Sequence, residues 1–247
     1  MSKKIYAVGD IHGKYDLLDK ALECLFETIQ PEDTLVFLGD YIDRGKDSNK
    51  VLERMIDLKE NRNNAIFLRG NHEQMMIDAL KSNRDIGMWF DNGGYTTVKS
   101  YDKYRDFDIH NFRNIITKSH IEFVQNTVIE HGEENLYHFV HAGIIPEGIE
   151  WKMDNSGRYD ARIWIRDEFI RNRQNLGKIV VFGHTPQITT YLPLVMPNKI
   201  GIDTGAVFGG KLSVIQLDSE NKEKFALMQV DQNLSVTHQE IEIPTTY

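Results

Sequence analysis

Six side chains able to bind a cation or move a proton follow short apolar runs in this chain: Asp10, His12, Asp40, Asn71, His141 and His184. Any one alone has an ordinary reading, as a turn aspartate or a hydrogen-bonded histidine. Together they are drawn only from carboxylate, imidazole and amide. That donor set suits manganese, iron or zinc, and the lack of thiolates removes the usual structural zinc alternative. Six candidates are too many for one catalytic ion with an open position, so two ions sharing a carboxylate fit better. Two divalent ions less the charges of Asp10 and Asp40 leave positive charge to stabilise a phosphoryl dianion and acidify a bridging water, the two-metal arrangement for hydrolysis.

Further charges cluster around these positions. Arg44 and Arg69 stand close in sequence to Asp40 and Asn71, where a guanidinium clamps phosphate oxygens or, alternatively, pairs with a neighbouring acid. His72, beside Asn71, is placed to protonate a leaving oxygen, and Asp43 is the carboxylate expected to favour its imidazolium form.

The elements that must carry these residues follow from periodicity. Apolar runs at Ile5 to Val8, Thr34 to Leu38 and Ala65 to Leu68 read as strands. Between them, Leu17, Leu18, Ala21, Leu22, Leu25, Phe26 and Ile29 at helical spacing predict a helix over 15–29, and Val51, Leu52, Met55 and Ile56 predict another. A further helix is expected to start near His72. Asp10, Asp40 and Asn71 are separated by 30 and 31 positions, about one strand–helix–strand step, so three consecutive units present a polar residue at one sheet edge. In open α/β sheets that carboxyl edge is where ligands bind.

The segment at about 77–133, with Trp89, Phe90, Tyr95, Tyr101, Tyr104, Phe107 and Phe112 among polar residues, reads as a mostly helical insertion, either near the site or with a small core of its own. Strand patterns return at Leu136 to Val140 and Lys178 to Phe182, before HAG at 141–143 and GH at 183–184. YLPLVM, KIGID, KLSVIQL and FALMQV then make the rest β-rich. The whole predicts an α/β (α+β) chain, 1–247, folded as a single domain.

Bulk composition narrows the class. A net charge of -8 and a pI near 5.6 argue against general nucleic-acid binding, which draws on clustered Lys and Arg. The single Cys24, set among Leu22, Leu25 and Phe26, excludes an internal disulfide and is expected to pack in the core. With no apolar run long enough for a signal peptide or a membrane span, a cytoplasmic protein is predicted.

GDIHG at 9–13, GDYIDRG at 39–45, RGNHE at 69–73, HAG at 141–143 and GHT at 183–185 resemble the phosphoprotein phosphatase family of metallophosphoesterases. WFDNGGYTT at 89–97, IWIRDEF at 163–169 and IDTGAVFGGKLSVIQL at 202–217 look like its bacterial and phage branch. The resemblance implies a calcineurin-like αββα sandwich with a dinuclear centre, most often manganese, with iron or zinc as alternatives. It implies Asp10 and His12 on one ion, Asp40 bridging, and Asn71, His141 and His184 on the second. His72 would be the general acid oriented by Asp43, with Arg44, Asn71 and Arg166 on the phosphate and a metal-bridging hydroxide as nucleophile. Arg166 also has an ordinary reading, an exposed helix arginine paired with Asp167 or Glu168, and Asp203 is assigned to a turn rather than to catalysis. The implied activity is a serine/threonine protein phosphatase acting on a phosphoprotein or small phosphoester, with no regulatory subunit inferable. The alternatives are a symmetrical diadenosine tetraphosphate hydrolase, whose base the aromatic residues near 89–112 would stack, and a scaffold without turnover. Asp43 and Glu73 favour the protein phosphatase.

Overall fold

The computed structural model describes residues 3–101, 109–133, 136–151 and 159–247; Tyr104 and Phe107 lie outside them. Three parallel strands, β1 (Lys4–Val8), β2 (Thr34–Phe37) and β3 (Ala65–Phe67), form half of the first sheet. Alternate residues face opposite ways: Tyr6, Val8, Leu35 and Phe37 toward the helices, Ile5, Ala7 and Val36 toward the second sheet. Both faces are buried, so these strands read as continuous apolar runs. The helices are α1 (Tyr15–Phe26) and α2 (Ser48–Asn61), which bury Leu17, Leu18, Leu22, Val51, Leu52 and Met55. α1 stops short of residue 29, where Thr28 turns its hydroxyl onto the Leu25 carbonyl at 3.2 Å, yet Ile29 still packs on the core. Cys24 is half-buried against the same cluster.

The insertion is helical over α3 (Asn71–Lys81), α4 (Ile86–Trp89), α5 (Tyr95–Tyr101) and α6 (Lys118–Gln125), and its segment ends in a strand, β4 (Glu130–Glu133). Trp89, Phe112 and Phe123 join the helix-side core of the main sheet instead of forming a core of their own. The second sheet has the order β4, β5 (Tyr137–Val140), β6 (Ile179–Phe182), β8 (Lys199–Gly201), β7 (Leu194–Met196), with β5, β6 and β8 parallel. Two short helices, α7 (Ala161–Trp164) and α8 (Asp167–Ile170), cover its outer face through Ala161, Ile165 and Phe169. The first sheet is completed by β9 (Leu212–Asp218), β10 (Lys224–Val230) and β11 (Val236–Glu242), each antiparallel to its neighbour. Helices, sheet, sheet and helices thus make four layers, with one apolar cluster between each pair. Among the described residues no helix is long and apolar enough to cross a membrane.

Lys199, at the start of β8, is fully buried, and its ammonium meets the Asn172 carbonyl and the faces of Phe169 and Tyr247 rather than an acid. Burial lowers its pKa to about 8, whereas an unfolded lysine titrates near about 10.4. Between those values the unfolded chain holds a proton that the folded chain has released, so stability rises with pH across that window. Melting temperatures of the wild type and Lys199→Met from pH 7.5 to 10 are expected to show the wild type gaining on the variant, by on the order of 5 °C. Parallel curves would refute the assignment.

Candidate active site

Register brings the site together. Pairing of Ile5 with Thr34 through Val8 with Phe37 ends β1 and β2 level, and the Ile11 and His12 amides then donate to the Asp40 carbonyl at 3.1 and 2.8 Å. Asn71 follows β3, His141 follows β5 and His184 follows β6 at the same edge, and all six residues of the set are at least 95% buried. His12, Asp40, Asp43, Arg44 and His184 hold left-handed backbone, with φ of 46, 51, 74, 66 and 62°. Such conformations are costly for side-chain-bearing residues, and their clustering marks a functional site.

Each histidine is oriented by an oxygen elsewhere. His12 Nδ1 donates to Ile42 O and His141 Nδ1 to Leu38 O, both at 2.8 Å, and His184 Nε2 donates to Trp164 O at 3.2 Å. A carbonyl can only accept, so these bonds fix the neutral tautomer of each ring and turn His12 Nε2, His141 Nε2 and His184 Nδ1 into the site. The last two converge on Asn71 Oδ1 at 3.1 and 2.9 Å. Asp40 Oδ2 lies 3.3 Å from His12 Nε2 and Asp40 Oδ1 lies 3.4 Å from His141 Nε2. Lone pairs and carboxylates aimed at common points are what a divalent cation requires, so these residues fit the group. Two groups of three have ligand atoms within 4.8 Å of one another, His12–Asp40–His72 and Asp40–His141–His184; Asp40 belongs to both, and Asp10 to neither.

The electrostatics agree. Burial alone would raise Asp40, but the His141 and His72 rings hold it well below the usual carboxylate range. Burial, with the charges of Asp203 and Asp40, pushes Asp10 well above that range. Against burial, Asp40 and Asp10 draw His141 up to about 9, so the site favours a positive charge at that nitrogen. Asp203 does shape a turn, accepting the Gly205 amide at 3.0 Å, but its charge also reaches Asp10, and burial lifts its own pKa to about 6.

His72 Nδ1 stands 2.7 Å from Asp43 Oδ2. The imidazolium expected from that neighbour is not favoured: burial lowers the ring to about 4 despite the pull of Asp40. Burial also raises Asp43, opposed by hydrogen bonds from Thr97 Oγ1 at 2.6 Å and Trp89 Nε1 at 2.9 Å. Sequence reasoning missed both donors, 54 and 46 positions from Asp43. They supply a role for WFDNGGYTT, as does Gly93: with φ of 109°, its backbone comes so near Arg44 that a Cβ would lie 2.8 Å from the Arg44 nitrogen.

Among the described residues no carboxylate lies within 4 Å of the Arg44 guanidinium, which donates from Nη1 to His12 Nε2 at 2.8 Å. Arg166 is exposed and unpaired with its neighbours, since Asp167 is taken by Arg171 at 2.9 Å, and its charge acts on Asp10, Asp203 and Asp40. Arg69 is structural: it donates to Thr127 Oγ1, Gln74 Oε1, Gln125 O and Thr127 O, which leaves it no phosphate-clamping role. Glu73, offered above as a substrate indicator, is fully buried and accepts the amides of Asp40, Tyr41 and Gly70 at 2.8 to 2.9 Å. Its work is to hold the strand-end turn. A glutamine would turn an NH2 toward one of those donors, so Glu73→Gln is expected to lower unfolding stability by about 1–3 kcal/mol. An unchanged denaturation midpoint would count against that role.

The calcineurin-like phosphoesterase family matches residues 3–217. Serine/threonine-protein phosphatase 1 of Salmonella typhimurium is 31% identical over 222 residues, covering 87% of this chain and 92% of that protein. Bis(5'-nucleosyl)-tetraphosphatase PrpE (asymmetrical) of Oceanobacillus iheyensis is 29% identical over 233 residues, covering 85% and 87%. The crystal structure of a cold-active protein-tyrosine phosphatase from a psychrophilic Shewanella species aligns with a TM-score of 0.59 at 18% identity, over 96% of this chain and 80% of that one, a likeness of fold.

Proposed function

The chain belongs to the calcineurin-like phosphoesterase family, and on that premise we propose that it is a metal-dependent serine/threonine protein phosphatase. The observation that carries this reading is the buried His72–Asp43 pair, 2.7 Å apart and braced by Trp89 and Thr97, beside an arginine with no acid partner among the described residues. The likeness to the Salmonella phosphatase supports it.

Asp10, His12 and Asp40 would hold one ion, and Asp40, Asn71, His141 and His184 a second. Divalent ions bound there, manganese first and iron or zinc otherwise, would acidify a water and draw charge off the phosphoryl oxygens. Arg44 and Arg166 then grip phosphate oxygens, with the Asn71 amide beside them. Burial disfavours the imidazolium form of His72 in the protein alone. A phosphate dianion arriving beside it adds the negative charge that raises the ring's affinity for a second proton, which Nε2 delivers to the serine or threonine oxygen as it leaves. Asp43 keeps Nδ1 aligned throughout.

The rival reading is a dinucleoside polyphosphate hydrolase, favoured by the PrpE likeness; that relative is of the asymmetrical type, not the symmetrical one weighed from the sequence. Against it, Trp89 and Phe112 are fully buried and unable to stack a base, Phe90 and Tyr101 are partly buried, and Tyr95 is half-exposed; Tyr104 and Phe107 lie outside the described residues. A side-by-side measurement of kcat/KM on phosphoserine, phosphothreonine and phosphotyrosine peptides and on diadenosine tetraphosphate, with added manganese, decides. Phosphoserine or phosphothreonine is expected to lead; a tenfold or larger advantage for the tetraphosphate would sink the proposal.

A further inference from the structure

Phe208 is a large apolar side chain left 49% exposed at the active-site edge. Its position is not the accident of a loose loop. The turn that carries it, Ala206–Phe208, lies between the left-handed Gly205 and Gly209, and the Phe208 and Gly210 amides both donate to the Gly205 carbonyl at 2.9 Å. Gln232 Nε2 reaches in from beyond β10 and donates to Ala206 O at 2.9 Å and Gly210 O at 2.7 Å, tying down both sides of the turn. A ring held this firmly in solvent needs a reason, and the Arg44 guanidinium supplies one: its central carbon is 5.4 Å from the Phe208 ring centroid.

At Arg44 the backbone is fixed and the end of the side chain is not. Its amide donates to Gly93 O at 3.3 Å and its φ of 66° sets the direction of the chain. Beyond that, among the described residues, the guanidinium has His12 Nε2 on one side and the ring face of Phe208. An acid in place of the ring would consume the in-plane N–H donors that phosphate needs. A ring face attracts the cation through its quadrupole and leaves all of those donors in the plane available.

We propose that Phe208 is a positioning residue: a cation–π platform that holds Arg44 across the mouth of the site without using any of its hydrogen-bond donors, so that those not given to His12 Nε2 are ready for the phosphate. This rests on the phosphatase reading for the identity of the ligand. The platform predicts that the benefit comes from the π face and not from bulk, and that it acts only through Arg44.

The test uses the manganese-loaded full chain and inorganic phosphate as the probe, its Kd read by calorimetry, alongside KM and kcat on a phosphomonoester. Exposed cation–π contacts of this kind correspond to roughly two- to fivefold in affinity. Phe208→Ala is therefore expected to weaken phosphate binding and raise KM by that factor, with kcat little changed. Phe208→Tyr should restore both constants, and Phe208→Leu, which keeps bulk without a π face, should not. In an Arg44→Ala background the Phe208→Ala effect should vanish. Rescue by leucine equal to that by tyrosine, or an undiminished loss in the Arg44→Ala background, overturns the proposal. Failure of the wild type to turn over phosphopeptides would defeat the substrate reading alone, because phosphate affinity needs no turnover.

Discussion

Asp40→Asn is expected to lose bound divalent metal and catalytic rate together. Asp40 is the residue common to both triads, with Oδ2 toward His12 and Oδ1 toward His141. Asparagine keeps the shape and can still accept the His72 amide that reaches Oδ1 at 3.1 Å. It removes the charge and turns an N–H toward one of the two triads. Metal-ion catalysis contributes several kcal/mol of charge stabilisation, so the rate should fall about a hundredfold or more. Metal content after gel filtration, measured per chain, should fall for both ions. His12→Asn serves as the comparison, because it touches one triad and should deplete chiefly one ion. The chelator-treated Asp40→Asn protein should melt within a few degrees of the chelator-treated wild type, which separates loss of metal from loss of fold. Full metal occupancy in Asp40→Asn would exclude a shared ligand.

His72→Asn is expected to reduce kcat by about 10²- to 10⁴-fold on phosphoserine and phosphothreonine peptides, the usual range for a positioned proton donor. The loss should be much smaller on p-nitrophenyl phosphate, whose departing phenolate needs no proton. KM should change little, since the proposed grip on phosphate is that of Arg44 and Arg166. Asp43→Asn should show the same leaving-group dependence with a smaller amplitude, because Asp43 orients the ring instead of giving the proton. Equal losses on the two kinds of substrate would remove His72 from the general-acid role and leave it as a structural neighbour of the cluster.

Elements with a strong period were legible in the sequence. The parallel strands of both sheets, with burial on two faces, and the amphipathic α1 and α2 emerge within a few residues of where periodicity places them. β4 and β11 escaped. EHGE and VTHQEIE lie at sheet edges with few buried positions, so nothing in their composition marks them as strands. For Arg69 the sequence left two readings open, a phosphate clamp and a structural pair. Adjacency to Asn71 suggested a phosphate clamp, but its partners Gln125 and Thr127 lie 56 and 58 positions away and were brought close by the fold.

By itself, the sequence determined which donor atoms the site contains. Short apolar runs ending in Asp, Asn and His at intervals of one strand–helix step place those side chains at a single edge, whatever the loops do. It also excluded an internal disulfide and a cysteine-rich metal site, and gave no footing for general nucleic-acid binding. Only the tertiary structure decided what each donor presents. Which nitrogen of His12, His141 and His184 offers its lone pair is set by backbone carbonyls of Ile42, Leu38 and Trp164, up to 103 positions distant. Whether Arg44 or Arg69 is available to a phosphate is set in the same way, by the acceptors the folded chain sets around each: four bonds for Arg69 and, among the described residues, the one to His12 Nε2 for Arg44. Residue type is local, but protonation, tautomer and availability depend on neighbours, and those are assigned by packing two sheets face to face.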